Sequence, residues 1–83
     1  MKILYFSWVR DRIDLGNEEI VLPENVTTVE QLVNWLQSKG DGYASAFADL
    51  SMIRVAVNQE HVKLGHPIGK NDEVAFFPPV TGG

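Results

Sequence analysis

The apolar positions along the chain change period several times, and the changes mark the elements. Residues Lys2 to Trp8 are rich in Ile, Leu, Tyr, Phe and Trp, with no Gly or Pro. That composition suits a strand. Ile3 and Tyr5 would point to one side of it, and Leu4, Phe6 and Trp8 to the other, because strand side chains alternate. Apolar residues on both sides predict a central strand covered on both faces. Arg10 to Gly16 reads as a polar connection with one helical turn, Val9 and Ile13 facing inward. Glu19 to Leu22 reads as a short second strand closed by Pro23.

The period then becomes helical. Val29, Leu32, Val33 and Leu36 recur at i, i+3, i+4 and i+7, one apolar stripe. Ahead of them, Thr27-Thr28-Val29-Glu30 has the form of a capping box, with Thr27 as N-cap and Glu30 at the third helical position. Gly40 is the expected stop, and Tyr43 to Leu50 a second short helix. Arg54 to Val57 alternates as a strand, Asn58-Gln59-Glu60 turns, and His61 to Leu64 returns. Gly69-Lys70-Asn71-Asp72 carries turn chemistry. Glu73 to Phe77 is the last strand, ended by Pro78-Pro79, which have no N–H to give a ladder.

The order is therefore strand, strand, helix, strand, short strand, strand. One amphipathic helix crossing one mixed sheet of about five strands fits it, an α+β layer pair. The first and last strands are the most apolar and are placed side by side. If they run parallel, the helix lies in the crossover between the two halves of the sheet. That is the ubiquitin-like β-grasp arrangement. It divides the chain into a domain over 1–77 and an extended tail over 78–83.

Composition narrows the function. A net charge of −4 argues against nucleic acid, which selects a basic face, and against docking on an anionic membrane. The run Ile3 to Val9 is too short to span a bilayer and lacks the marks of a signal peptide, so a cytoplasmic protein is expected. There is no Cys, which excludes disulfides, thiolate metal sites and a cysteine persulfide on this chain. His61 and His66 are too irregularly spaced for a helical metal pair. Gly40-Asp41-Gly42 lacks the remaining glycines of a phosphate loop and reads as a helix stop.

The tail is the informative segment. It reads Phe76-Phe77-Pro78-Pro79-Val80-Thr81-Gly82-Gly83. A Gly-Gly end arises by chance in about one chain in 200, so it calls for a reason. An inert, fraying end is the bland one. The chemical one is that Gly has no side chain, so the tip can enter a slot too narrow for other residues. That suits a chain whose terminal carboxylate is the reacting group. A carboxylate is a poor electrophile until it is converted to a mixed anhydride with AMP. A sulfur nucleophile can then displace AMP and leave a thiocarboxylate; a lysine amine would give an isopeptide instead. Both routes need another protein to bind ATP, so no cofactor is expected on this chain.

Reach and entropy add a requirement. Pro78 to Gly83 extend at most about 20 Å. Ordering six residues costs roughly 6–12 kcal/mol of backbone entropy. Two prolines restrict the free tail in advance and lower that cost. At about 25 cal/mol per Å², offsetting 10 kcal/mol takes on the order of 400 Å² of apolar contact. A docking patch is therefore expected, built from Leu4, Phe6 and Trp8 or from Ile3 and Tyr5, with Phe76 or Phe77 beside them.

At these residues the chain resembles the small, sulfur-carrying subunit family of molybdopterin synthase. The likeness runs almost end to end, through Met1 to Phe6 with Val9-Arg10, through Thr28 to Leu32, and through Arg54 to Glu60. Its most specific stretch is Asp72 to Gly83. The Gly-Gly alone is shared with every ubiquitin-like carrier, and the aromatic-proline run before it narrows the choice. The resemblance implies a β-grasp fold and a cycle. An E1-like adenylating enzyme activates Gly83 with ATP, and a cysteine desulfurase or rhodanese-like protein supplies sulfur. The thiocarboxylate tail, Phe76 to Gly83, enters the large catalytic subunit. There sulfur passes to cyclic pyranopterin monophosphate to build the dithiolene. The family complex is a heterotetramer of two large and two small subunits. Asp14 to Glu19 looks slightly long, and Gly65 to Gly69 replaces a tighter turn. Three readings stand beside it: a carrier for thiamin thiazole synthesis, a ubiquitin-like modifier of lysines, and a passive β-grasp interaction module.

Overall fold

The computed structural model describes residues 1–79. Five strands form one mixed sheet in the order β2-β1-β5-β3-β4. They are β1 Lys2–Tyr5, β2 Asn17–Glu19, β3 Arg54–Val57, β4 Glu60–Val62 and β5 Glu73–Phe77. β1 and β5 run parallel, with Ile3 beside Val74 and Tyr5 beside Phe76. The other pairings are antiparallel. β5 is thus the central strand and β1 its neighbour, as the sequence predicts.

The main helix, α2, spans Val29–Gln37 and lies across one face of the sheet. Its stripe of Val29, Leu32, Val33 and Leu36 is fully buried. It meets Ile3 and Tyr5 of β1, Val55 and Val57 of β3, and Val74 and Phe76 of β5 in one core. Alternation explains the set, since each of these strands gives every second residue to the helix side. The opposite face stays open: Lys2 is exposed and Leu4, Ala75 and Phe77 are half-buried. The expectation that β1 is covered on both faces is therefore wrong.

Two further helices frame one end. α1 spans Ser7–Ile13 and α3 spans Asp41–Ala46. The predicted strand through Trp8 stops at Tyr5, because Ser7 takes a left-handed φ of 56° and a helix begins there. Val9 and Ile13 are its buried positions, as expected. Gly40 does not end α2, which closes at Ser38; Gly40 to Gly42 instead begin α3. Gly42 has a packing reason. A Cβ there would lie 2.5 Å from the Arg12 carbonyl oxygen, so only Gly lets α3 approach α1 this closely. A single 3₁₀ turn, Leu50–Met52, leads into β3.

Other boundaries move by one to three residues. β2 precedes the predicted Glu19–Leu22, though Ile20 N–H still donates to the Met1 carbonyl at 2.9 Å. The N-cap of α2 is Thr28, not Thr27. The Gln31 N–H donates to Thr28 Oγ1 at 3.2 Å, and Gln31 Oε1 accepts from the Thr27 N–H at 2.7 Å. The cap is shifted along the chain, with Gln31 in place of Glu30, and its side chain reaches back past the N-cap to Thr27. The β3–β4 turn is made by Asn58 and Gln59, both at positive φ (51° and 71°), the conformation a two-residue hairpin demands.

Candidate functional site: the end of the sheet where the tail departs

β5 ends at Phe77, and Pro78 and Pro79 follow, half-buried. Val80 and Thr81, expected to contact the partner, and Gly82 and Gly83, expected to carry the chemistry, lie outside the described residues. What the structure gives is the surface from which they leave. Because β1 and β5 are parallel, the residue after β1 arrives at the same end. The Phe6 N–H donates to the Phe76 carbonyl at 3.1 Å, and the Phe6 side chain is 47% exposed. β3 runs the other way, so its first residue, Arg54, lies opposite Phe77.

Adjacent aromatics on β5 have opposite fates. Phe76 is fully buried, stacked on Tyr5 at 6.2 Å between ring centroids and edge-on to Phe47 at 5.0 Å. It is a core residue and its ring offers nothing to a partner, so it leaves the expected docking patch. Phe77 points to the open face, where the His61 ring meets it edge-on at 5.2 Å. Trp8 also leaves that face. It sits on α1, half-buried, with the Arg12 guanidinium 4.6 Å from its ring centre and Met52 nearby. Phe6, Phe77, Pro78 and Pro79 are the expected residues the fold does gather around the departure point. Leu4 and Ala75 continue that face along the sheet.

A polar cluster fixes the opposite side of the same layer. The Glu18 carboxylate on β2 accepts the Tyr5 and Tyr43 hydroxyls at 2.7 Å each and the Lys39 ammonium at 2.9 Å. Its side chain is only 14% exposed. Burial pushes the Glu18 carboxyl up, but three donors to the charged form outweigh it and hold it below the usual value. Burial and then the Glu18 charge push Tyr43 up to about 12, and move Tyr5 up as well. No pattern in the sequence marks Glu18, because its partners are 13 to 25 residues away. The arrangement ties β2 to β1, α3 and the end of α2, and positions Tyr5 under Phe76. At the far end of β5, Asp72 accepts from Asn58 Nδ2 at 2.9 Å and from the Gly69 N–H at 2.8 Å. These two donors lower its carboxyl.

Fold and surface together define a ubiquitin-like β-grasp domain whose chain continues beyond the end of a central strand. The chain belongs to the ThiS family, whose model matches residues 3–83. It is 40% identical over 83 residues to the Escherichia coli protein named molybdopterin synthase sulfur carrier subunit, covering 100% of this chain and 99% of that one. Among solved structures it resembles a putative molybdopterin converting factor, subunit 1, from Pyrococcus furiosus. That match has a TM-score of 0.75 and 27% identity, over 95% of each chain. A Helicobacter pylori chain from a complex of subunits 1 and 2 of molybdopterin-converting factor matches in fold. Its TM-score is 0.63 at 24% identity, over 99% of this chain and 96% of that one. No helix among the described residues is long and apolar enough to cross a membrane.

Proposed function

We propose that this chain is the sulfur carrier subunit of a cytoplasmic molybdopterin synthase. The observation that carries the reading is the full-length relationship to the Escherichia coli carrier, continuous through the Gly-Gly residues. In the proposed cycle the Gly83 carboxylate attacks the α-phosphorus of ATP on an E1-like adenylating enzyme, and pyrophosphate leaves. The terminal sulfur of a persulfide on a cysteine desulfurase or a rhodanese-like protein displaces AMP to give an acyl disulfide. A thiol then cleaves its S–S bond, forming a disulfide with that protein's cysteine and leaving the thiocarboxylate on Gly83. The tail then enters the large catalytic subunit. Sulfur bonds to cyclic pyranopterin monophosphate, the C–S bond to Gly83 breaks with uptake of water, and the carboxylate is regenerated. In this cycle the partner proteins supply the base and the nucleotide site, and this chain supplies an end and a handle.

The handle is the open face at the tail's departure, with Phe77 at its centre and Phe6, Pro78 and Pro79 around it. Phe77 and Phe6 are apolar, accessible and held on a rigid strand end, which suits a contact that must offset the entropy of ordering the tail. The large subunit and the adenylating enzyme would use this face in turn, since both must receive the same six residues.

The reading is tested by reconstitution. The chain bearing a Gly83 thiocarboxylate, mixed with the large subunit and cyclic pyranopterin monophosphate, should form the dithiolene and return an ordinary carboxylate. The unmodified chain should form none. Equal product from the unmodified chain would show that sulfur comes from elsewhere.

A further inference from the structure

The open face of the sheet is electrically uneven. Register puts Arg54 of β3 beside Phe77 on this face, and Ala56 beside His61 of β4. The β3–β4 ladder ends with Val55 opposite Val62. One step further, Lys63 leaves β4 on the same side as His61 and comes across from Arg54. Both cations are exposed. At the other end of the face, Lys2 lies between Glu19 of β2 and Glu73 of β5. That end is balanced by its own acids. The end from which the tail departs carries two cations next to Phe77.

The chain could have avoided this, since it has 11 Asp and Glu against 7 Lys and Arg. Elsewhere its cations are matched: Lys39 bonds Glu18 at 2.9 Å, and Arg10 lies 3.9 Å from Asp11. Arg54 and Lys63 take part in no ion pair among the described residues. The Arg54 guanidinium donates to the Ser51 and Ile53 carbonyls, at 3.4 and 3.2 Å. The acids nearest in sequence are turned elsewhere. Asp49 accepts from the Ser51 N–H and hydroxyl, and Glu60, opposite Val57, belongs to the helix side of the sheet. Like charges facing each other across a ladder are destabilising. The isolated domain therefore bears a local electrostatic cost at this corner, the kind of departure found where a surface is completed by another molecule.

We infer that Arg54 and Lys63 receive carboxylates of the large catalytic subunit, as the charged margin of a contact whose apolar centre is Phe77. The inference rests on the proposed function, which names that partner, and adds the chemistry of its docking surface: Asp or Glu side chains beside the depression that takes Phe77. Charges at the margin of an apolar contact lose water as the contact closes, which strengthens their attraction. The pair also sets the direction of approach. A domain of net charge −4 is repelled least by an acidic surface when it leads with its cationic corner. Phe77 is at that corner and Pro78 and Pro79 follow it, so the approach that satisfies the cations also presents the tail.

The test measures binding of the full-length chain to the large subunit, and maps the contact by carbodiimide coupling, which joins an amine to a carboxylate with no spacer. Arg54→Glu and Lys63→Glu change exposed side chains and should melt like the parent. Each should weaken binding about tenfold at low salt, mainly through slower association. The loss should shrink in about 1 M sodium chloride, where charges are screened beyond about 3 Å. Lys70→Glu makes the same change in net charge on the turn before β5, and should alter binding less than about twofold. Carbodiimide should join Lys63 Nζ to an Asp or Glu of the large subunit, identified by mass spectrometry, and Lys63→Ala should remove that product. Normal binding by both Arg54→Glu and Lys63→Glu would overturn the inference, as would an equal loss from Lys70→Glu, which would reduce the effect to net charge. Coupling of Lys63 only to a second copy of this chain would overturn it and name that copy as the occupant. Absence of any complex with the parent chain would overturn the proposed function and this inference with it, whereas a tight complex indifferent to Arg54 and Lys63 would overturn the inference alone.

Discussion

Gly83 and Glu18 represent two kinds of importance a single residue can have. Gly83 follows a strand and two prolines and adds no side chain to the core. Deleting it should abolish thiocarboxylate formation and leave the melting temperature almost unchanged; sulfur transfer by the shortened chain would contradict its role. Gly82 is expected to matter through what it lacks. A Val there adds a branched side chain that both the activating enzyme and the synthase must admit, so Gly82→Val should block activation or transfer while the fold stays intact. Wild-type turnover would show the slot to be wide. Glu18 is the converse, a residue for the fold alone. Its carboxyl titrates below its usual value because Lys39, Tyr43 and Tyr5 donate to the charged form. A carboxyl lowered in this way adds stability that is present above its unfolded value of about 4.3 and is lost as pH falls through the folded one. Glu18→Gln should cost about 2 kcal/mol at neutral pH, the scale of hydrogen bonds to a charged group. Melting curves should converge with those of the parent on acidification below pH ~4. A difference independent of pH would place the stabilisation elsewhere.

At the scale of elements, the parts that could be read in the sequence are those whose pattern is local and whose burial is one-sided. β3 and β5 have the predicted ends, and every residue of the α2 stripe is buried. The first strand was legible only as far as Tyr5. Phe6, Ser7 and Trp8 have the composition of a strand, and nothing local announces the left-handed turn at Ser7. The i, i+4 spacing of Val9 and Ile13 did mark a helical turn here, but it placed the start at Arg10, whereas α1 begins at Ser7. The second capping Thr was ambiguous because Thr27 and Thr28 are both competent, and long-range bridging decides it: Thr28 pairs with Pro67. The split between Phe76 and Phe77 was legible from alternation, and it supports a paired test. Phe76→Asp places a carboxylate in the core at a cost of several kcal/mol, comparable to the stability of a small domain, and should unfold it. Phe77→Asp should fold and lose binding to the large subunit, read by calorimetry and thermal melts. The reverse outcome would exchange the faces; normal binding by a folded Phe77→Asp would remove the docking argument. Gly42→Ala tests the α1–α3 contact, since its Cβ would meet the Arg12 carbonyl. A loss of about 1–3 kcal/mol is expected. Unchanged stability would mean that the two helices separate without cost.

For the whole molecule, the division of labour is between a domain that holds and a segment that reacts. The core, the Glu18 cluster and the turn around Asp72 all serve to fix where β5 ends and which way Phe77 faces. None of them brings a catalytic group near that end. The chemistry in the proposed cycle is carried to other proteins, which is why a chain with no Cys can be assigned to sulfur transfer. The docking face was legible as a need, from the entropy of the tail, before it was legible as a place; the sheet order and the register of β5 supply the place. The central claim is that Gly83 carries the sulfur, and mass spectrometry of the protein isolated from its own cells tests it most directly. The account predicts an intact mass in which one oxygen is replaced by sulfur, with fragmentation assigning the change to Gly83. A carboxylate alone under conditions of active cofactor synthesis, or sulfur on any other residue, would contradict it.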